Sequence, residues 1–274
     1  MKQEIEREAA TTVSDRSGLS PISPKTLAHR GLRDLLAVSN GEQFYRKGAT
    51  HWEQERYNEA VECFARGLQC EPNHPALLFY LGLAYYQGVG VPSSDLARAV
   101  AWWHLAAQQG CAQAQNNLGR VYEQGEGVQA DYARAVYWYR RAADQHHATA
   151  QYNLGVTYEL GRGVARDLRQ AATWYQRAAE QGYAPAQYNL GGMLRSGRGL
   201  GQDLEKAASW YRKAAQQNYA PAQFNLAVMH EQGEGVREDL ECAAFWYHKA
   251  EENGDESARR ALGEVLTKLK RPDR

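Results

Sequence analysis

From about residue 75 onward, apolar and polar positions alternate with the three-to-four-residue spacing of amphipathic helices. The pattern then returns every 36 residues, from Asn117-Leu118 to Asn153-Leu154, Asn189-Leu190 and Asn225-Leu226, and from Trp138-Tyr139 to Trp174-Tyr175, Trp210-Tyr211 and Trp246-Tyr247. A repeat of this length predicts stacked supersecondary units, each burying its apolar face only against its neighbours. Residues 148–182, ATAQYNLGVTYELGRGVARDLRQAATWYQRAAEQG, show one unit in full: an Ala-rich first helix, a Gly-x-Gly loop, and a second helix behind Asp167. Five units are expected, at about 75–110, 111–146, 147–182, 183–218 and 219–254. The first is one residue longer, through an insertion at Val91-Pro92-Ser93-Ser94-Asp95.

Local signals agree with that division. Alanines at 112, 148, 184 and 220 and at 114, 150, 186 and 222 let helices approach closely, and Pro185 and Pro221 fall in a first turn, where a missing N–H is tolerated. Asp95, Asp131, Asp167, Asp203 and Asp239 stand where a cap for the second helix is needed. Arg140-Arg141, Arg177, Arg212-Lys213 and Lys249 suit the negative end of its dipole. The Gly-x-Gly pairs (125/127, 161/163, 197/199, 233/235) follow helices, not strands, so they predict left-handed turns and not a phosphate loop. The Trp-Tyr pairs predict inter-helix core.

The flanks differ. Residues 1–40, rich in Ser, Thr, Pro and alternating charge, read as a flexible tail, within which Thr26 to Val38 has the spacing of a short amphipathic helix. Residues 41–74 carry Gly48, Tyr57, Ala60, Phe64 and Pro72 at the spacings of a tetratricopeptide repeat, which the segment resembles, with Phe44 in place of the usual tryptophan and Gly67 in place of the usual alanine. Residues 255–274 read as a capping helix and tail, with Ala258 and Leu262 in register with Ala222 and Leu226.

The five units, spanning 75–254, resemble the Sel-one-like repeats (SLR), relatives of the tetratricopeptide repeat with a longer loop between their helices. The residues carrying the resemblance are Ala148, Ala150, Gln151, Asn153, Leu154 and Gly155, then Gly161-x-Gly163-Val164, Asp167 with Leu168, and Ala171, Trp174-Tyr175, Ala178-Ala179 and Gly182. The resemblance implies an all-α chain, a right-handed α/α superhelical solenoid of stacked helix-turn-helix repeats, acting as a non-enzymatic protein-interaction adaptor. Some cysteine-rich, secreted members of that family have been associated with β-lactams, so the alternative is a cell-wall or β-lactam-type small-molecule binder or hydrolase. The cysteine pairs within each repeat that mark those members are missing here, as is any Ser followed three residues later by Lys.

Composition narrows the chemistry. Lys+Arg and Asp+Glu both number 32, so no net field draws the chain to nucleic acid. No apolar run approaches the roughly 18 residues of a membrane helix, and the charged N-terminus lacks the apolar core of a signal peptide, so a cytoplasmic protein without direct membrane insertion is expected. Cys63, Cys70, Cys111 and Cys242 are expected as free thiols; the first two, seven apart on one helix, lie about 10 Å apart along its axis. His146-His147 lies in an inter-repeat turn, with no metal motif around it. No metal, no cofactor and a monomer are expected.

Function is therefore sought on the inner, concave face, which in related arrays is lined by the first helices. On that geometry the candidate groove residues are Asn117, Tyr152, Asn153, Glu159, Tyr188, Asn189, Arg195, Phe224, Asn225 and Glu231, with Phe79, Asn116, Tyr86 and Glu123 at equivalent places. Aromatics beside glutamates would suit a peptide or protein segment with apolar and basic residues. The Asn ladder either grips a peptide backbone, since a carboxamide both donates and accepts, or bonds the neighbouring repeat. Tyr45, Ala49, Asn116 and Arg120 occupy the positions of the tetratricopeptide carboxylate clamp, which disfavours capture of a chaperone C-terminus.

Overall fold

The computed structural model describes residues 33–270, and among them every regular element is an α-helix. The chain divides into two compact units between Ala142 and Ala143. In the first, α1 (Arg33–Glu53) pairs with α2 (Tyr57–Cys70), α3 (Pro75–Gln87) with α4 (Leu96–Gln108), and α5 (Ala112–Gln124) packs with α6 (Tyr132–Ala143), whose last residue opens the second unit. In the second, α7 (Ala148–Leu160) pairs with α8 (Leu168–Glu180), α9 (Ala184–Ser196) with α10 (Leu204–Ala215), α11 (Ala220–Gln232) with α12 (Leu240–Glu252), and α13 (Glu256–Lys270) closes on α12. Of the expected tail, residues 33–40 form the start of α1; the rest, with most of the short helix expected at Thr26 to Val38, lies outside the described residues, as do 271–274.

The capping signals act as their chemistry demands. Asp95, Asp131, Asp203 and Asp239 each accept from the backbone N–H three residues on, at 2.8–2.9 Å, and Asp167 accepts from both Arg169 and Gln170. First helices end on glycines at positive φ, 74° at Gly125, 70° at Gly161, 71° at Gly197 and 67° at Gly233, where a Cβ would clash with the backbone. His147, in the turn between repeats, also caps α7, its Nδ1 accepting from the Ala150 N–H at 3.3 Å, and burial lowers its pKa.

Each hairpin closes on an aromatic ring. A Cβ built on Gly119, Gly155 or Gly191 would lie 2.4, 2.7 or 2.9 Å from the ring of Tyr139, Tyr175 or Tyr211, and on Gly82 it would lie 2.5 Å from Trp103. The rings fill the space that a side chain would need. In the α11–α12 hairpin Ala227 takes this place beside the buried Tyr247. Of the Trp-Tyr pairs, the tyrosines are the core. Trp138 and Trp174 are buried as expected, but Trp210 and Trp246 are only half-buried. Cations at the helix end cover the indoles: Arg177 lies 4.4 Å from the Trp174 ring centre, and Lys213 lies 3.9 Å from that of Trp210.

Between repeats, buried glutamines do the joining. Gln115, Gln187 and Gln223 each send Nε2 to the carbonyl oxygen eight residues earlier, Ala107, Ala179 and Ala215, at 3.0, 3.1 and 3.0 Å. Their other end is used as well: Gln187 Oε1 accepts from Gln217 at 2.9 Å and Gln223 Oε1 from Asn253 at 3.1 Å, as Gln151 does from Gln181 at 2.7 Å. One carboxamide thus ties α8, α9 and the end of α10 together.

Replacing Gln187 by Met keeps the volume but removes its bonds to the Ala179 carbonyl, which keeps the Gly182 N–H, and to Gln217, so urea unfolding should show a loss of about 1 kcal/mol; an unchanged midpoint would mean that this join is dispensable. Gly155→Ala forces a methyl against the Tyr175 ring and should cost about 1–3 kcal/mol. Gly192→Ala, whose Cβ would meet only the Tyr211 hydroxyl, at 3.5 Å, should instead stabilise by up to about 1 kcal/mol through helix propensity. Equal effects at the two positions would refute the ring-seat account.

Candidate functional site

All ten candidate groove residues are half-buried, so each shows part of its surface to solvent: Asn117 on α5, Tyr152, Asn153 and Glu159 on α7, Tyr188, Asn189 and Arg195 on α9, and Phe224, Asn225 and Glu231 on α11. Asn116, counted among the equivalent places, is buried. Asn117 belongs to the first unit and the other nine to the second.

The glutamates have structural partners. Glu123, Glu159 and Glu231 each accept from the tyrosine of their own hairpin, Tyr139 at 2.8 Å, Tyr175 at 2.7 Å and Tyr247 at 2.7 Å. Glu159 gives its second oxygen to Arg198 at 2.8 Å, and Glu231 gives its own to Lys268 of α13 at 2.7 Å. The oxygens of Glu159 and Glu231 are thus already engaged within the fold, a competition for these carboxylates that the sequence did not reveal. Burial, and then the bonded carboxylate, push the three phenols well above the usual tyrosine range. Burial opposes ionisation of Glu231, but the bonds from Lys268 and Tyr247 outweigh it and hold that carboxyl below its ordinary value.

Arg195 breaks the series. It occupies the helix position of Glu159 and Glu231, and sends Nε and one Nη to a single oxygen of Glu234, both at 2.8 Å. Tyr211 thus has a guanidinium near its ring where its counterparts have a carboxylate. Its pKa is pushed up to about 12, by burial first and then by Tyr188, while Arg195 pulls the other way.

At two rungs the Asn ladder approaches the preceding repeat: Asn189 lies near the phenols of Tyr175 and Tyr152, and Asn225 near that of Tyr211, each acting to lower a tyrosine pKa that burial raises.

Four half-buried tyrosines lie along the same face of the second unit. Tyr152 and Tyr183 have ring centres 5.3 Å apart, and Tyr188 and Tyr219 are 5.6 Å apart. Tyr152 is raised by burial and then by the nearness of Tyr219 and Tyr183, which ties the two pairs into one cluster. Phe224 stands against Tyr247 at 5.3 Å. Beside the cluster opens a cleft of about 510 Å³ lined by Glu159, Tyr188, Asn189, Gly192, Met193, Arg195, Ser196, Arg198 and Tyr211. Four of the ten candidates, Glu159, Tyr188, Asn189 and Arg195, meet there.

Sequence reasoning missed Tyr183 and Tyr219, because they sit at the turn before each first helix, a position filled by Cys111 and His147 elsewhere. It also missed Gly192, Ser196 and Arg198, although comparison with Val156, Leu160 and Glu234 at equivalent positions was open to it. All four cysteines are free, and no group of three or more His, Cys, Asp or Glu among the described residues could hold a metal ion. None of the described helices is long and apolar enough to cross a membrane.

The Sel1 repeat model matches residues 75–111, 112–147, 148–183, 184–219 and 220–255. Among solved structures, the chain is similar to a protective antigen of uropathogenic Escherichia coli displaying an SLR fold (32% identity, TM-score 0.78), with 89% of this chain and 52% of that one covered. The chain thus spans about half the length of the Escherichia coli protein. It is also similar to a Sel1 repeat protein from Oxalobacter formigenes, with 31% identity, a TM-score of 0.73, and 81% of this chain and 87% of that one covered. No curated protein matches it. With five consecutive matched repeats, each built as a helix hairpin of the all-α solenoid class, the chain belongs to the Sel1 repeat family.

Proposed function

We propose that the chain is a non-catalytic scaffold that holds a segment of a partner protein on the first-helix face of its second unit. Sel1 repeat proteins generally serve as protein-interaction scaffolds, and one observation carries the reading to this face: the half-buried cluster of Tyr152, Tyr183, Tyr188 and Tyr219 beside an open cleft. Tyrosine offers a large, rigid contact surface with a polar tip, at a small entropic cost on binding, and together with arginine it is the residue type enriched where binding energy concentrates. Tyr152, Asn153, Tyr188, Asn189, Arg195, Phe224 and Asn225 would contact the segment. Glu159 and Glu231, bonded to their tyrosines, would shape the face rather than bind charge. Asn117 would play the same part on the first unit.

The test is selection of peptides from a displayed random library on the full chain, with affinities then measured by fluorescence polarisation. Tyr152→Ala with Tyr188→Ala should weaken the selected peptides at least tenfold, about 1.4 kcal/mol, whereas Phe245→Ala, at an exposed aromatic on α12, should leave them unchanged. The opposite result would move the binding surface to the second helices and sink the proposal.

A further inference from the structure

The cleft on α9 is confined to one repeat, and the residues that create it depart from the pattern of their neighbours. At three first-helix positions the flanking repeats have Val156 and Val228, Glu159 and Glu231, and Leu160 and Gln232; α9 has Gly192, Arg195 and Ser196. All three line the cleft. Packing does not require the first of them, because a Cβ on Gly192 would meet only the Tyr211 hydroxyl, at 3.5 Å, whereas one on the neighbouring Gly191 would press into the Tyr211 ring at 2.9 Å. Gly191 belongs to the architecture; Gly192 leaves room. Departures from a repeated local rule that bring no structural gain, gathered around one cavity, mark a site.

We propose that this cleft receives a carboxylate of a bound polypeptide, an aspartate or glutamate side chain of the segment held on the first-helix face; the proposal rests on that reading of the face. The lining carries two guanidinium groups, Arg195 and Arg198, against one carboxylate, Glu159. Both oxygens of Glu159 are engaged, by Tyr175 and Arg198, and Glu234 is paired with Arg195, so an incoming anion would be held by the guanidinium donors these bonds leave over and not by net charge. Arg195 spends Nε and one Nη on a single oxygen of Glu234, and Arg198 spends one Nη on Glu159. A guanidinium has five N–H donors, so each arginine keeps donors for an incoming carboxylate, whose two oxygens match the planar fork. Tyr188 and Asn189 on the same wall supply an apolar flank and a carboxamide that can bond the adjoining peptide backbone.

The fold itself suggests a control for charge. Glu159–Arg198 and Arg195–Glu234 are the same ion pair with the signs exchanged, 39 residues apart in each case. Arg195→Glu combined with Glu234→Arg therefore keeps a pair, copying its neighbour, while inverting the charge of the cleft wall. Gly192→Val restores the neighbours' side chain and fills the cavity.

The full chain, ¹⁵N-labelled on arginine, would be titrated with three blocked peptides, Ala-Ala-Glu-Ala-Ala, the same with Gln, and the same with Lys, and with Ala-Ala-Gln-Ala-Ala carrying a free C-terminus. The Nε–Hε signals of Arg195 and Arg198 should shift with the Glu peptide at least tenfold more steeply in concentration than with the Gln or Lys peptide. That response should vanish at both arginines in Gly192→Val and at Arg198, the one of the two that remains, in the double exchange, neither variant having a lowered thermal midpoint. Equal response to Glu and Gln, or survival of the Glu response in both variants, overturns the carboxylate site. A response only to the free C-terminus overturns the side-chain form and makes the cleft a chain-end receptor. If library selection fails while the Glu response holds, the face reading falls and the anion site stands.

Discussion

Everything in this chain depends on a ring set against a bare patch of helix. In four of the five Sel1 repeats the ring of the second helix, Trp103 in the first and a tyrosine in the next three, covers a glycine of the first helix so closely that a methyl group would collide with it, and in the fifth Tyr247 packs on Ala227. That contact sets the spacing of the hairpin, and the spacing in turn aims the phenolic hydroxyl at the first-helix carboxylate sixteen residues back. A hydroxyl buried in an apolar seat needs an acceptor, or it costs the full desolvation of the group. Where the glutamate is present, at Glu123, Glu159 and Glu231, it is thus bound to the same seated ring.

Hairpins built this way still need a join, and a polar one gives register that apolar contact alone does not. The glutamine at the head of α9 and of α11 reaches the preceding second helix through its N–H and is met at its oxygen from the end of its own repeat's second helix. A buried carboxamide with both ends satisfied tolerates no slippage, since any shift would strand a donor and an acceptor together. Nearer the surface, Asn189 and Asn225 lie close to tyrosines of the repeat before them, and for a carboxamide linking and binding are not exclusive.

Against this background, α9 stands apart. Its neighbours satisfy the ring with a carboxylate; it has Arg195 instead, and turns that arginine to Glu234. The exchange keeps the inter-repeat ion pair while changing the charge presented to solvent. Architecture and surface chemistry are thereby separated at one position, which a single-domain core seldom permits and a repeat array does, because each unit answers only to its neighbours.

Much of this was legible in the residues. The 36-residue period, the aspartate caps, the left-handed glycines and the buried tyrosine of each Trp-Tyr pair follow from chemistry that acts within a few residues, where a sequence speaks directly. The half-buried standing of Tyr152, Asn153, Tyr188 and Phe224 was legible too, because helical periodicity assigns faces. What the sequence could not show is which polar groups are already consumed. Glu159 and Glu231 read as a place for basic ligands until Tyr175, Arg198, Tyr247 and Lys268, sixteen to thirty-nine residues away, took their oxygens. A period tells that a position recurs; only the fold brings donor to acceptor and decides what is left over for a partner.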